Sequence, residues 1–236
     1  MKNHDNSDIH DDVCTPGIAE MPGDVRWGVL FDLDGVLIDS EHEYTRIWER
    51  INREFPTDVP NFAERIKGTT LENILATHYP DPETRKRVEA RLLEEEAKMV
   101  YTYLPGAKEL LDDLKRHNVP TALFTSSNGI KMAHLYKDLP DIRQYFQTII
   151  TGDMVRHSKP DPEGYLMAAK SLGLTDGHWV VVEDSLQGVK AGEASGGAVL
   201  GVAGTLPPLT LVPHSDEVTD TLQGVTAETL RKLIKA

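Results

Sequence analysis

The feature that most constrains the fold is a short apolar segment that ends in two carboxylates. Residues 27–31 are almost continuously apolar, which is typical of a strand buried on both faces of a parallel sheet. Asp32 and Asp34 follow, and Gly35 permits a sharp turn directly after them. Because the functional crevice of an open α/β sheet lies beyond the carboxyl ends of its strands, this pair lies where chemistry is expected. An acidic turn or a simple metal-binding loop is the alternative interpretation of these residues.

The motif Asp32-Leu33-Asp34-Gly35-Val36 resembles the opening motif of the haloacid dehalogenase-like superfamily. The resemblance implies an α/β fold, with a Rossmann-like three-layer core around a parallel sheet and an inserted α-helical cap domain. It also requires three further elements in the chain: a Ser or Thr at the end of a second strand, a Lys further on, and an acidic pair at the end of a later strand.

Composition restricts the classes of function. The 236 residues can form one large core with a smaller inserted or appended domain. A formal net charge of −13 argues against general binding to nucleic acid or anionic membranes. No apolar run approaches the ~20 residues of a membrane span, and no secretory signal is visible at the N-terminus. A single Cys excludes an intrachain disulfide. We expect a cytoplasmic, monomeric protein that acts on a small molecule.

The pattern of hydrophobic residues divides the chain into three parts. Residues 1–24 are polar and acidic with interspersed His, which could suggest a metal tract but is more often a solvated tail. Residues 41–53 change to helical spacing, and further helical patterns occupy residues 61–66, 71–78 and about 81–101. Since this block contains no convincing strand, we predict a tail at 1–24, a core formed by 25–40 and 104–236, and a helical cap at 41–103.

Two of the required elements follow later predicted strands. The strand at residues 121–124 ends in Thr125, Ser126 and Ser127. These residues are equally compatible with a turn or helix cap and with a group that supplies a hydroxyl and backbone N–H groups to a phosphate. Lys159 lies between a third strand, at 148–152, and a helix at 163–172, and Lys159-Pro160 resembles the third motif of the superfamily. Most lysines are simply solvated, but this setting is unusual.

The fourth element follows the clearest strand in the chain, residues 179–182. Glu183 and Asp184 end this strand, and two adjacent acids are unfavourable there unless a cation lies between them. Ser185 can cap the next helix, and Gly188 permits that helix to approach closely. We also predict a fifth strand at 196–202, a short edge strand at 217–219 and a closing helix at 227–234.

The chemistry of phosphoryl transfer assigns a role to each of these residues. The reaction needs an in-line nucleophile, neutralisation of the phosphoryl oxygens and a proton for the leaving group. Asp32 is the candidate nucleophile, through an aspartyl-phosphate intermediate, and Asp34 is the candidate general acid. Mg²⁺ prefers oxygen ligands, and Asp32, the backbone carbonyl of Asp34 and Asp184 would suit it, with Glu183 as a direct or water-mediated partner.

The remaining residues would hold the transferring group. Thr125, the N–H groups of Ser126 and Ser127, and Lys159 can bind its oxygens and offset its charge. The resemblance implies the same roles for these positions.

A helical insertion after the first motif resembles the subgroup that includes β-phosphoglucomutase and small sugar-phosphate phosphatases. In that subgroup the cap is a lid over the site, and the loop at residues 66–70, with Lys67 and Thr69, would face the substrate. Lys67 could bind a substrate oxygen or be a solvated surface residue.

The mutase resemblance would require an Arg just after this loop and a His early in the first cap helix. The chain has Leu71 and Tyr44 there, although Arg65 and His42 lie close by. Without a clamp for a second phosphate, water is the better acceptor.

The leading hypothesis is therefore a Mg²⁺-dependent phosphatase of a small phosphorylated metabolite, such as a sugar or polyol phosphate. A phosphomutase of the β-phosphoglucomutase type is the second hypothesis, and an inorganic pyrophosphatase is a variant of the first. A catalytically idle binding protein of the same fold is the third, but the complete set of polar residues speaks against it.

Overall fold

The computed structural model describes residues 26–66 and 71–234. The predicted acidic tail at 1–24 and the predicted substrate residues Lys67 and Thr69 lie outside the described residues.

Six parallel strands form one sheet in the order β3-β2-β1-β4-β5-β6. Their bounds are β1 Gly28–Phe31, β2 Thr121–Phe124, β3 Thr148–Ile150, β4 Trp179–Glu183, β5 Ala198–Val202 and β6 Glu217–Thr219. The central strand β1 pairs with both β2 and β4, with Leu30 opposite Ala122 on one side and Val181 on the other. The chain adds β2 and β3 on one side of β1 and β4 to β6 on the other, so the strand order reverses at β1. A parallel sheet places its ligand crevice at such a reversal.

Helices cover both faces of the sheet and occupy one long insertion after β1. They are α1 Glu41–Glu54, α2 Phe62–Arg65, α3 Leu71–His78, α4 Pro82–Glu96, α5 Ala107–Arg116, α6 Gly129–Asp138, α7 Glu163–Ser171, α8 Leu186–Ala194, α9 Pro208–Leu211 and α10 Ala227–Arg231. Short 3₁₀ turns lie at Ile142–Tyr145, Gly152–Met154 and Val212–His214. None of the helices within the described ranges is both long and apolar enough to cross a membrane.

Alternate residues of β1 enter two different hydrophobic clusters, which explains why the whole strand is apolar. Leu30 packs into a cluster with residues of α7 and α8, such as Tyr165 and Val189. Val29 and Phe31 point to the other face and pack into a cluster that includes Leu110 of α5. All residues of β1 are buried, so the prediction of a strand covered on both faces is confirmed and the fold is a three-layer α/β core.

The insertion between β1 and α5 is helical within the described residues, as the hydrophobic spacing predicts. Ile47 and Ile51 of α1 are fully buried, and Trp48 packs edge-on against Phe62 of α2 with 5.8 Å between ring centroids. The last helix is shorter than predicted, because α4 ends at Glu96 and not near residue 101. The N–H groups of Lys98 and Met99 donate to carbonyls three residues back, which tightens the end of the helix, and the N–H of Tyr101 donates to Oδ2 of Asp138 at 3.0 Å.

The two chain connections to this insertion run side by side. The N–H of Asp39 donates to the carbonyl of Thr102 at 3.2 Å, and the N–H of Leu104 donates to the carbonyl of Leu37 at 2.9 Å. These bonds form a short antiparallel pairing. The helical segment is therefore joined to the sheet through one narrow two-stranded connection.

Candidate active site

The predicted polar residues meet at the carboxyl edge of the sheet. Asp32, Thr125 and Asp184 directly follow β1, β2 and β4, and Glu183 is the last residue of β4. The ladder continues one residue beyond each strand, since the N–H of Asp32 donates to the carbonyl of Val182 and the N–H of Thr125 donates to that of Ile150, both at 3.0 Å. The backbone pairing of neighbouring strands thus fixes the relative positions of these side chains.

Lys159 brings the first and fourth motifs together. Its ammonium donates to Oδ1 of Asp32 in a short contact and to Oε1 of Glu183 at 2.6 Å. It also lies 4.8 Å from the centroid of the Phe124 ring. The side chains of Lys159 and Asp32 are 7% and 9% exposed and that of Glu183 is fully buried, so water screens these charges poorly.

Burial changes the ionisation of this cluster. Burial raises the pKa of Asp32 to about 7, and the charge of Lys159 opposes this rise while Glu183 and Asp34 add to it. Burial also raises the pKa of Asp184 well above its usual value, and the nearby Glu183 and Asp32 raise it further. Three carboxyl groups thus share a single ammonium, and their mutual repulsion favours protonation unless a further cation is bound.

Glu183 is held by donors on both of its oxygens. Oε1 accepts from Lys159 and from the hydroxyl of Tyr165 at 3.0 Å. Oε2 accepts from the N–H of Asp184 at 2.9 Å and from the N–H and hydroxyl of Ser185. The predicted close approach at Gly188 is also present, since a Cβ there would lie 1.8 Å from Cδ of Glu183. Glu183 therefore fixes the position of Lys159 in addition to lying beside Asp184.

Asp184 is enclosed by two loops. Its Oδ2 accepts a short hydrogen bond from the hydroxyl of Thr205, in the loop after β5. Gly35 lies against the same carboxylate, because a Cβ on that residue would be 2.0 Å from Oδ2. Since Gly35 has a φ of 74°, the turn after β1 favours glycine both for its backbone and for this contact.

Two groups of side chains could hold a cation among the described residues. Asp32, Glu183 and Asp184 form the buried group, whose ligand atoms all lie within 4.8 Å of one another. A second group, His157, Asp161 and Glu163, is more exposed, and its members bond to one another and to neighbouring backbone N–H groups. The buried group comprises three of the four predicted metal residues, and the fourth, Asp34, is predicted to bind through its backbone carbonyl.

Asp34 lies in a separate network on the side of the insertion. Its Oδ1 accepts from the hydroxyl of Ser40 and the ammonium of Lys131, both at 2.5 Å, and its Oδ2 accepts from the hydroxyl of Ser127 at 2.9 Å. Burial raises the pKa of Asp34, but Lys131 and the hydrogen bonds from Lys131, Ser40 and Ser127 outweigh it and lower the pKa. These contacts therefore favour the carboxylate form of Asp34 over the protonated form.

The hydroxyl segment after β2 bonds to Asp34. Oγ1 of the fully buried Thr125 accepts from the N–H of Ser127 at 3.0 Å, and Ser127 in turn donates to Asp34. Ser126 is exposed. Asn128 caps α6, its side chain accepting from the N–H of Lys131 at 3.0 Å.

The sequence analysis missed four residues that contact the predicted ones: Ser40, Lys131, Tyr165 and Thr205. Their separations from the carboxylates that they contact range from six positions, for Ser40 and Asp34, to 97, for Lys131 and Asp34. For Lys131 a sequence signal existed, because a cation in the first turn of a helix opposes the helix dipole.

Tyr44 of the insertion lies above this side of the site. Its hydroxyl donates to Oε1 of Glu96 at 2.9 Å, and the ammonium of Lys131 lies 5.2 Å from the centroid of its ring. The insertion therefore contacts the same lysine that binds Asp34.

Comparison with known proteins identifies enzymes with related sequences and folds. Hexitol phosphatase A of Escherichia coli is 33% identical over 208 residues, covering 83% of this chain and 94% of that protein. The β-phosphoglucomutase of Bacillus subtilis is 28% identical over 200 residues, covering 77% and 85%. The crystal structure of a HAD family hydrolase from Deinococcus radiodurans, with bound phosphate and sodium, superimposes with a TM-score of 0.73 at 26% identity and covers 89% of this chain and 98% of that one.

The family model for haloacid dehalogenase-like hydrolases matches residues 29–202. The match begins in β1 and ends in β5, so it includes all four strand-end motifs and the helical insertion. The chain therefore belongs to the haloacid dehalogenase-like hydrolase family.

Proposed function

We propose that this protein is a Mg²⁺-dependent phosphatase that hydrolyses a small phosphorylated metabolite, a sugar or polyol phosphate, through an aspartyl-phosphate intermediate. The observation that carries the proposal is the separation of two aspartates at the end of β1. Asp32 lies in the cluster with Lys159, and Asp34 lies in a different hydrogen-bond network beside the insertion. Asp32 can attack phosphorus while Asp34 donates a proton to the leaving group.

In the first step, a carboxylate oxygen of Asp32 forms a bond to phosphorus as the bond from phosphorus to the ester oxygen breaks. Asp34 must carry a proton for this step, although its contacts in the absence of substrate favour the carboxylate, and it gives that proton to the departing alkoxide. Lys159 and the N–H group of Ser126 stabilise the charge on the phosphoryl oxygens, while the N–H of Ser127 donates to Oγ1 of Thr125. Glu183 keeps the ammonium of Lys159 in position, because the two groups are 2.6 Å apart and the side chain of Glu183 is fully buried.

In the second step, Asp34 accepts a proton from water while the water oxygen bonds to phosphorus. The bond between phosphorus and Asp32 breaks, and inorganic phosphate leaves. This step needs Asp34 as a carboxylate, the form that its contacts with Lys131, Ser40 and Ser127 favour.

The buried carboxylates have the composition that suits Mg²⁺. Asp32, Glu183 and Asp184 offer only oxygen ligands, and one ammonium does not balance three carboxylates. We propose that Asp32, Asp184 and the backbone carbonyl of Asp34 hold the ion. Glu183 stays the Lys159 partner, bound to the ion directly or through water. When bound, Mg²⁺ would neutralise charge on the transferring phosphoryl group.

Replacing Thr205 by valine should weaken Mg²⁺ binding about tenfold, because the hydroxyl that orients Asp184 is lost while the side-chain shape is kept. Calorimetric titration of the protein with Mg²⁺ in the absence of substrate measures this directly. Thr205→Ser, which keeps the hydroxyl, is the matched control and should bind as the wild type does. Equal Mg²⁺ affinities for Thr205→Val and the wild type would show that Thr205 does not orient Asp184 for the ion.

We further propose that residues 41–103 act as a cap domain that closes over the site. The short two-stranded connection near Asp39 and Leu104 is the place where such a movement would bend. Closure would exclude water during the first step and bring Tyr44 towards the leaving group.

The presence of Tyr44 at this position favours a phosphatase over a mutase. Its hydroxyl donates to a carboxylate, Glu96, which disfavours a second phosphate at this position. The sequence similarity to β-phosphoglucomutase keeps the mutase as the second candidate.

The test is phosphate release across a panel of hexitol phosphates, hexose phosphates, nucleotides and pyrophosphate, with Mg²⁺ or EDTA. We expect Mg²⁺-dependent release that is fastest for a hexitol or hexose phosphate. Isomerisation of β-glucose 1-phosphate without net phosphate release would establish the mutase instead. A clear preference for pyrophosphate would show that the substrate is pyrophosphate and not a sugar or polyol phosphate.

A further inference from the structure

A partly buried lysine beside the candidate acid has no contact with the substrate in the mechanism above. Lys131 lies at the third position of α6, and its side chain is only 16% exposed. A cation in the first turn of a helix is opposed by the positive end of the helix dipole, and α6 has no acidic residue in that turn. Burying the ammonium adds a desolvation cost. A lysine in this unfavourable setting calls for a compensating role.

The contacts of Lys131 place its ammonium at the leaving-group side of the site. Its Nζ lies 2.5 Å from Oδ1 of Asp34 and 5.2 Å from the centroid of the Tyr44 ring. An acid must come within hydrogen-bond distance of the oxygen that it protonates. Because Lys131 touches Asp34, its ammonium borders the space that the leaving group occupies. An ammonium has three N–H donors, and Asp34 accepts only one of them, so donors remain for a substrate.

The charges around Lys131 indicate which leaving group fits. The hydrogen bonds and the cation–π contact here tie together two carboxylates, Asp34 and Glu96, and one ammonium. Burial raises the pKa of Tyr44, and the charge of Glu96 raises it further. Burial also raises the pKa of Tyr101, and the charges of Asp34 and Glu96 add to this rise. Both carboxylates therefore act on the same pair of tyrosines. Excess negative charge disfavours a second anionic group, whereas neutral hydroxyls can accept from Lys131 and donate to a carboxylate.

We propose that Lys131 is a specificity-determining residue that binds a hydroxyl of the leaving group next to the ester oxygen, which makes polyhydroxylated alkyl phosphates the preferred substrates. The proposal rests on the phosphatase function and names the part of the substrate that the core recognises. It differs from a role exerted only through Asp34, because it requires the substrate to carry hydroxyls.

The test compares two esters that have the same type of leaving oxygen. A hexitol phosphate and n-butyl phosphate both release an alkoxide that Asp34 must protonate, but only the hexitol carries further hydroxyls. We expect the wild type to prefer the hexitol phosphate, and Lys131→Met to reduce the ratio of the two kcat/KM values at least about tenfold, since hydrogen bonds to charged groups are strong. Most of the loss should fall on KM for the hexitol phosphate, and Lys131→Arg should restore part of the preference.

Two further variants complete the design. Lys137→Met removes an exposed lysine from the last turn of the same helix and should leave both esters unaffected. Lys131→Gln, which can still donate to Asp34, takes the place of Lys131→Met if the latter does not fold.

The outcomes separate the two claims. An equal loss of kcat on both esters overturns the role of Lys131 in specificity and leaves the phosphatase standing. A wild type that prefers a leaving group with a second anion overturns the substrate class. No release from either ester by the wild type contradicts the phosphatase itself.

Discussion

Replacing Asp32 by asparagine should reduce phosphate release at least about a thousandfold, because the amide cannot form the acyl phosphate on which both steps depend. The fold should persist, since Lys159 keeps its contact with Glu183. Steady-state phosphate release with a hexitol phosphate and saturating Mg²⁺ measures the loss, and circular dichroism verifies folding.

Asp39→Asn is the matched control for this variant. It makes the same chemical change seven positions later in the chain, at a residue whose side chain pairs with His42 at 3.1 Å outside the carboxylate cluster. It should retain near wild-type activity. If Asp32→Asn instead retained more than about one hundredth of the wild-type rate, Asp32 would not be the nucleophile.

Replacing Lys159 by methionine should damage both stability and activity. Glu183 is fully buried, and removal of the ammonium leaves its charge without a cation. Breaking a buried ion pair in this way costs about 3–5 kcal/mol of the free energy of unfolding. Activity should fall as well, because the cation that faces the phosphoryl oxygens is lost. Urea unfolding and phosphate release measure the two effects.

A second substitution separates the two effects of losing Lys159. The double variant Lys159→Met with Glu183→Gln removes the uncompensated charge and should recover much of the stability but little activity. Lys170→Met, an exposed lysine at the end of α7, is the control. Unchanged unfolding of the single variant would mean that the contact between Lys159 and Glu183 has no structural role.

The strands of the core and the residues that end them could be predicted from the sequence because their signals are local. The apolar run before Asp32 and the run before Glu183 each correspond to a strand whose residues are all buried. In a parallel sheet such strands end at one edge, so Asp32, Thr125 and Asp184 could be placed together without coordinates. Lys159 was placed by its position between a strand and a helix, and its contacts agree with that position.

The pairing of these residues with their partners could not be predicted, because it depends on tertiary distances that no local pattern encodes; the position of Lys131 in the first turn of a helix marks an unusual lysine but not its partner. Thr205 reaches Asp184 from the loop after β5, and Lys131 reaches Asp34 from α6. The prediction for Glu183 was incomplete: it placed this residue only beside a metal ion, whereas Glu183 also binds Lys159 and Tyr165. A single acidic residue gives no indication of which cation it will face.

Helix ends were less predictable than helix positions. The bounds of α3 agree with the predicted 71–78, because its apolar periodicity is bounded by turn residues. α4 stops at Glu96, where the N–H groups of Lys98 and Met99 donate to carbonyls three residues back and tighten the last turn, and Asp138 accepts from the N–H of Tyr101 beyond it. The short helix α9 was not predicted, since four residues are too few to show a period.

The most direct test of the central claim is detection of the phosphoryl group on Asp32 itself. Asp34→Asn protein is mixed with p-nitrophenyl phosphate and Mg²⁺, quenched in acid and analysed by intact mass and peptide mapping. This ester needs no proton for its leaving group, whereas hydrolysis of the intermediate still needs a base at position 34, so the intermediate should accumulate. We predict one phosphoryl group per chain, located on Asp32 and absent from the Asp32→Asn variant. Release of nitrophenol with no phosphoryl group on the protein would contradict the aspartyl-phosphate mechanism.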